Sequence, residues 1–448
     1  MTSLAIGTLR TRSRGAGQLT RTDYDDRHLQ RRVAATWALL LFNVMPYSKV
    51  GSILPIPNSI GKVLGQAALP LALLLALSVN RRLDFRPSIF LCLAGLLTLE
   101  TVVTAFAAQY PKGTGFRTFR MLDFVLILWL LSPYWGRGKQ GMLLARFHMK
   151  ALFFIVCTVL LGFLISPGEA RFTGRLTGII WPIPATQAGH YAAVVLGMVI
   201  ILWFCGYTRG RTALLMSLVS VVALLLTEAR TALLAFVIGL LVAGLSLAPT
   251  TPRVRKALAI TAGVALLAYV AAASVITHYL ARGQNTQQLT GLTGRTSFWG
   301  PLLAYPRDRF QILFGFGLSN GSFRGLPIDS NWLDSYQDQG LFGDTVCGLI
   351  ILFLIIAACV QVRNVNRALA LFLAVYILVA SFTEDGITNP SPYLLDAAIA
   401  ASLIAAPVLT RKRRSVSGRA PTPAPQPPGG GELTPPATNT EDGVSVGS

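Results

Sequence analysis

Apolar residues in this chain come in long unbroken runs rather than in alternation or in single-face stripes. Runs of roughly 17–25 residues separated by short polar segments are the pattern of helices that cross a bilayer. Twelve runs are legible, at 33–47, 60–79, 87–109, 119–135, 150–166, 185–206, 212–227, 231–248, 256–281, 340–361, 365–380 and 392–410. Those at 33–47 and 365–380 are short, so they are expected to be tilted, partial or extended. The polar, basic stretch Arg10–Arg32 reads as a tail and not as part of a signal peptide, because no small-residue cleavage pattern follows the first run.

These runs predict an all-α polytopic membrane protein with about twelve transmembrane helices. The expected organisation is a basic cytoplasmic tail over 1–32, a membrane domain over 33–410, and a Pro- and Gly-rich tail over 411–448. That last segment lacks the aromatic and branched residues a core needs and is expected to be disordered. One connection departs from the short-loop pattern. Residues 282–339 form a 58-residue segment between runs nine and ten, and its Trp299, Phe310, Phe314, Phe316, Phe323, Trp332 and Tyr336 predict a partly structured outer loop.

Composition narrows the class. The 448 residues are 53% hydrophobic and only 13% charged, with mean hydropathy +0.56, whereas soluble domains carry about a quarter of their residues charged. Five cysteines, all within apolar runs, exclude a disulfide scaffold. The net charge of +20 would suit nucleic acid if it were dense. Instead, with both termini cytoplasmic, 26 of the 39 Lys and Arg fall on the cytoplasmic side. The charge is therefore a topological signal, and no nucleic-acid partner is expected.

Candidate chemistry gathers on the opposite, outer side. Thr227-Glu228-Ala229-Arg230-Thr231 joins two apolar runs with almost no loop, which places Glu228 and Arg230 at or just below the membrane surface. Two readings stand: a Glu–Arg pair capping a tight turn, with the Arg snorkelling, or a functional guanidinium with a partner. Arg171 and Arg175 lie in the outer segment before run six, and Arg295 opens Gly294-Arg295-Thr296-Ser297-Phe298-Trp299. Gly315 and Gly317 permit tight turns and close backbone approach to a ligand. Several Arg on one side fit a diphosphate, since the guanidinium fork binds phosphate oxygens bidentately and keeps its charge. Asp329 is a candidate general base, against a helix-capping alternative, and Asp338 leads into run ten. Pro306-Arg307-Asp308-Arg309 reads as a solvated turn. Glu100, Asp123, Asp344 and Asp396 are acids within or at the ends of apolar runs.

Residues 170–345 resemble the O-antigen ligase and polymerase family of bacterial membrane glycosyltransferases. Ala229-Arg230-Thr231-Ala232 matches its Ser-Arg pattern near span eight, and Arg295, Trp299, Gly315 and Gly317 match its Arg, aromatic, Gly-x-Gly pattern. The late pattern of His-Asn-x-x-Leu, an acid and Gly-x-x-Gly falls on Asp329, Ser330, Leu333, Asp338, Gly340 and Gly343. Asp stands where ligases of the family carry His, which favours a polymerase-like member. The resemblance implies an inverting, metal-independent transfer, without a cofactor, on the outer face of a bacterial cytoplasmic membrane. It implies a polyprenyl-pyrophosphate-linked oligosaccharide donor and a glycan or lipid acceptor, within cell-surface polysaccharide biosynthesis, with a flippase and chain-length proteins as partners. Arg230, Arg295, Arg175 and Arg171 would hold the diphosphate, supported by Glu228, Gly315, Gly317 and Asp338. Asp329 would be the base, with His278 in reserve. A secondary transporter of a small solute, or a polysaccharide-export scaffold, is the alternative, because twelve spans with both termini inside is also a transporter layout.

Overall fold

A computed structural model describes residues 21–47, 52–53, 56–107, 111–135, 139–260, 263, 296–319 and 321–405. All of these belong to one compact unit, residues 1–408. The disordered tail expected over 411–448, most of apolar run nine, His278 and Arg295 lie outside the described residues.

The described chain is helical almost throughout. In order it forms α1 (Arg21–Val44), α2 (Asn58–Val79), α3 (Ile89–Ala107), α4 (Pro111–Leu131), α5 (Lys139–Ile165), α6 (Ala185–Phe204), α7 (Gly210–Thr227) and α8 (Arg230–Leu247). There follow the short α9 (Thr296–Leu303) and α10 (Arg309–Phe314), then α11 (Asn331–Val360), α12 (Val365–Ala380) and α13 (Pro392–Ile404). Seven of these helices are long and apolar enough to cross a membrane, and α12 and α13 are shorter apolar helices. The chain is a helical, multi-pass membrane protein. Its five cysteines are all free.

Burial sorts the helices into a centre and a rim. On α6, α12 and α13 most side chains are buried, as expected of largely apolar helices inside the bundle. By contrast α2, α3, α7 and α8 each turn an apolar face outward, with Leu74, Leu99, Leu214 and Leu234 more than half exposed. In water such a belt would be a liability; in hydrocarbon it is the solvent-facing surface. Small residues let the central helices close up. A Cβ at Gly197 of α6 would run into the Phe372 ring of α12, and one at Gly239 of α8 would sit 3.0 Å from the Phe372 carbonyl oxygen.

Two small antiparallel hairpins sit in the connections, β1–β2 (Arg171–Phe172 with Arg175–Leu176) and β3–β4 (Ser322–Phe323 with Leu326–Pro327). Both turn on a residue and a glycine at positive φ, Thr173 and Gly174 in one, Arg324 and Gly325 in the other. Two consecutive positive φ values suit the right-handed twist of a two-residue hairpin.

The helix expected from residue 340 begins nine residues earlier, at Asn331, and changes direction at Gly340, where φ is 64°. Residues 331–339 carry too many polar groups to read as an apolar run, so their helicity depends on packing. A Cβ on Gly340 would lie 2.5 Å from the backbone of Leu313 and Phe314, and one on Gly315 would collide with the backbone of Asp338 and Gln339. The close approach these glycines allow is therefore between α10 and α11, not between Gly315 and a ligand. Gly317 joins the same seam, its N–H donating to the Asp338 carbonyl at 2.9 Å.

Candidate functional site

At a rise of ~1.5 Å per residue, α12 and α13 reach only about 24 and 20 Å, less than the ~30 Å hydrocarbon core. Their connection, residues 381–391, is an irregular segment in which Ser381, Gly386, Ile387, Thr388 and Ser391 are buried. Buried non-helical backbone persists only where its N–H and C=O groups find partners. Here Asn331 supplies the partners. Its Oδ1 accepts from the N–H groups of Gly386 (3.2 Å) and Ile387 (2.8 Å), and its own N–H donates to the Ser381 carbonyl at 2.9 Å. The Trp332 indole adds a bond to Ser381 Oγ at 3.1 Å.

Two further segments meet this connection. From α8, Thr231 Oγ1 lies 2.6 Å from Thr383 Oγ1, which brings the 227–231 turn against it. From the start of α11, Asp334 Oδ2 accepts from Asn389 Nδ2 at 3.3 Å, and the charge of Asp329 acts on Asp385. Arg230, the first residue of α8, and Asp329, two residues before α11, thus flank one buried connection. Glu228 ends α7 in the left-handed conformation, at φ 50° and ψ 35°. Arg175 Nε donates to the Thr227 carbonyl at 3.0 Å, which ties β2 to the same turn. No side chain caps the N-terminus of α8, where the helix dipole and the Arg230 guanidinium place positive charge together. Arg171 is not among the residues that these contacts bring together. It is exposed on β1, with its guanidinium 5.2 Å from the Phe163 ring.

The acids gather on the other flank. A Cβ on Gly321 would lie 3.3 Å from both Asp334 Oδ1 and Asp385 Oδ2, so these two carboxylates face one point. Asp338 Oδ2 accepts from the Ser319 N–H at 2.8 Å, and the Arg117 guanidinium of α4 donates to the Ser319 carbonyl. Arg117 is the cation within electrostatic reach of both Asp334 and Asp338. Burial pushes the Asp385 carboxyl above its ordinary 3.8, a bond to its own backbone opposes that, and the Asp329 charge adds to the rise. Sequence reasoning missed Arg117, Asp385 and Asn389. The polar run Thr383-Glu384-Asp385-Gly386 between two apolar runs was the signal available for the last two; Arg117 offered none, since its partner lies 202 residues away.

Arg307 corrects the reading of a solvated turn at 306–309. Its guanidinium donates to Gln337 Oε1 at 2.7 Å and sits 4.1 Å from the centre of the Tyr336 ring. Asp308 beside it caps α10, accepting from the Gln311 N–H at 2.7 Å.

A second polar cluster lies wholly inside the bundle. Asp396 of α13 has Oδ1 2.7 Å from His148 Nε2 and Oδ2 3.1 Å from His190 Nε2, and all three side chains are buried. Trp37 Nε1 donates to His148 Nδ1 at 3.1 Å. An indole can only donate, so His148 Nδ1 accepts and its Nε2 carries the proton given to Asp396. Tyr376 OH lies 3.2 Å from His190 Nδ1. Five helices, α1, α5, α6, α12 and α13, are joined through this one carboxylate.

Among known proteins, no family model matches the chain and no curated protein matches it.

Proposed function

We propose that the chain is a membrane glycosyltransferase that moves or polymerises a glycan from a polyprenyl-pyrophosphate donor, polymerase-like rather than ligase, at the outer face of a bacterial cytoplasmic membrane. The supporting observation is the convergence of the Arg230 turn and the Asp329 end of α11 on the buried connection 381–391. In this reading about twelve spans carry both termini to the cytoplasm, and the acceptor is a glycan or lipid hydroxyl. That hydroxyl attacks the anomeric carbon. As the new C–O bond forms, the bond from that carbon to the diphosphate oxygen breaks, the lipid pyrophosphate leaves with the electron pair, and Asp329 takes the hydroxyl proton. Arg230 and Arg295 offset the charge developing on the leaving diphosphate, and Arg175 fixes the turn that presents Arg230.

Lysine tests the fork, because it keeps the charge and loses the planar donor pair. Arg230→Lys and Arg295→Lys should each lower turnover strongly at normal membrane levels, whereas exposed Arg171→Lys should leave it nearly unchanged. Equal, mild losses at all three would contradict a specific diphosphate site.

The buried Asp396 between two imidazoles favours a second reading, a proton-coupled transporter, since ionisable groups inside a membrane often carry protons. The two readings part on one measurement. Transfer from a lipid-linked donor proceeds with an uncoupler present, while coupled transport stops.

A further inference from the structure

A cavity of about 460 Å³ opens where the start of α1 meets the end of α4 and the start of α5. It lies at the opposite end of α4 from Arg117, about 21 Å along that helix to Leu131 at ~1.5 Å per residue. Four cations line it, Arg27 and Arg31 from α1, Arg146 and Lys150 from α5, and among the described residues no acidic side chain does. Each pair is spaced i, i+4, so each presents two charges from one helical face. Arg146 is partly engaged, donating to the Tyr207 carbonyl at 3.2 Å, whereas Arg27, Arg31 and Lys150 make no hydrogen bond or ion pair among the described residues.

A second observation points into the same space. Trp135 lines the cavity and is 3% exposed, yet its indole N–H has no hydrogen-bond partner among the described residues. A buried donor left unmatched is costly, and an indole can be matched only by an acceptor. The Tyr134 hydroxyl is already spent on the Val79 carbonyl at 3.0 Å. Beside these donors the wall is apolar, with Leu131 and Phe147 among its residues. Its volume is that of a small-molecule site, which runs ~300–1,000 Å³.

From this we infer that the cavity binds the headgroup of an anionic phospholipid, with the phosphodiester on the Arg27, Arg31, Arg146 and Lys150 cluster, an oxygen accepting from Trp135 Nε1, and the acyl chains leaving along the apolar wall. The shared chemistry is an anionic phosphate, and the apolar wall selects a lipid over a free ion. The distribution of Lys and Arg puts this end of the bundle on the cytoplasmic side, where basic pockets between helices meet anionic headgroups. The inference is independent of the glycan-transfer reading.

The test uses the full chain in a neutral detergent, with phosphatidylglycerol, phosphatidylcholine and inorganic phosphate as probes and native mass spectrometry as readout. Phosphatidylglycerol should stay bound where phosphatidylcholine does not, and millimolar inorganic phosphate should fail to displace it. The variant Arg27→Gln/Arg31→Gln/Lys150→Gln should bind phosphatidylglycerol at least tenfold more weakly. Trp135→Phe, which deletes one donor and no charge, should weaken it severalfold while the unfolding midpoint in phosphatidylcholine stays put, so a folding defect in the triple variant leaves the inference testable. Equal retention of the two lipids, undiminished phosphatidylglycerol binding in both variants, or full displacement by inorganic phosphate would overturn it.

Discussion

Arg307 is held from three sides, by the Tyr336 ring, by Gln337 Oε1 and by the Leu302 carbonyl at 3.2 Å. Lysine keeps the charge but not the flat face that stacks on tyrosine. Arg307→Lys is therefore expected to cost about 1–2 kcal/mol, the size of a partly desolvated cation–π contact, and denaturant unfolding of the detergent-solubilised protein would measure it. Asp385 gives an expectation of the opposite sign. Its carboxyl is raised above 3.8, so its ionised form disfavours the fold above the raised value, and that cost vanishes below 3.8. Asp385→Asn should have the higher unfolding midpoint at pH 8, with the gap closing toward pH 4; a gap independent of pH would contradict the burial of the charge. Single residues of this kind were the least legible part of the sequence. Arg307 sits in a Pro306-Arg307-Asp308-Arg309 segment and reads as solvated until Tyr336 and Gln337 are folded onto it, and the His148–Asp396 pair is separated by 248 positions. Arg230 and Asp329 were legible because charge beside an apolar run is conspicuous whatever its partner.

Helices follow from apolar runs wherever lipid or the bundle interior covers them, which is why α2, α3, α6, α7 and α8 start and end within a few residues of their runs. The start of α11 escaped for a physical reason. Asn331, Asp334, Asp338 and Gln339 are buried through bonds to distant segments rather than by being apolar. The seam between α10 and α11 depends on Gly340, at positive φ and in backbone contact. Gly340→Ala should destabilise the protein by more than ~1 kcal/mol and lower activity, since the start of α11 positions Asp329. Gly348→Ala is the matched comparison on the same helix. Its Cβ would meet only the Trp332 ring at 3.7 Å, so the change should be neutral or stabilising by up to ~1 kcal/mol. Thermal unfolding of the two variants side by side separates seam from helix propensity, and equal effects would contradict the role given to the seam.

The described residues form a helical bundle that holds a buried, polar, irregular connection over 381–391 and, separately, a basic, apolar-walled cavity. Which end faces out rests on the Lys and Arg distribution. In a cysteine-free background, a membrane-impermeant thiol reagent applied from outside should label Cys introduced at Ser322 and miss Cys introduced at Gly138; the reverse pattern would place the Arg230 turn in the cytosol. The central claim, transfer of a glycan at the 381–391 connection with Asp329 as the base, is tested most directly by one assay. The purified protein in proteoliposomes, without an ion gradient, is given a polyprenyl-pyrophosphate-linked oligosaccharide and an acceptor, and the released lipid pyrophosphate and product length are followed together. The wild-type protein should consume the donor, and Asp329→Asn should bind it but transfer roughly 10²- to 10⁴-fold more slowly, the usual size of a general-base contribution. No donor consumption by the wild type, or full activity in Asp329→Asn, would contradict it.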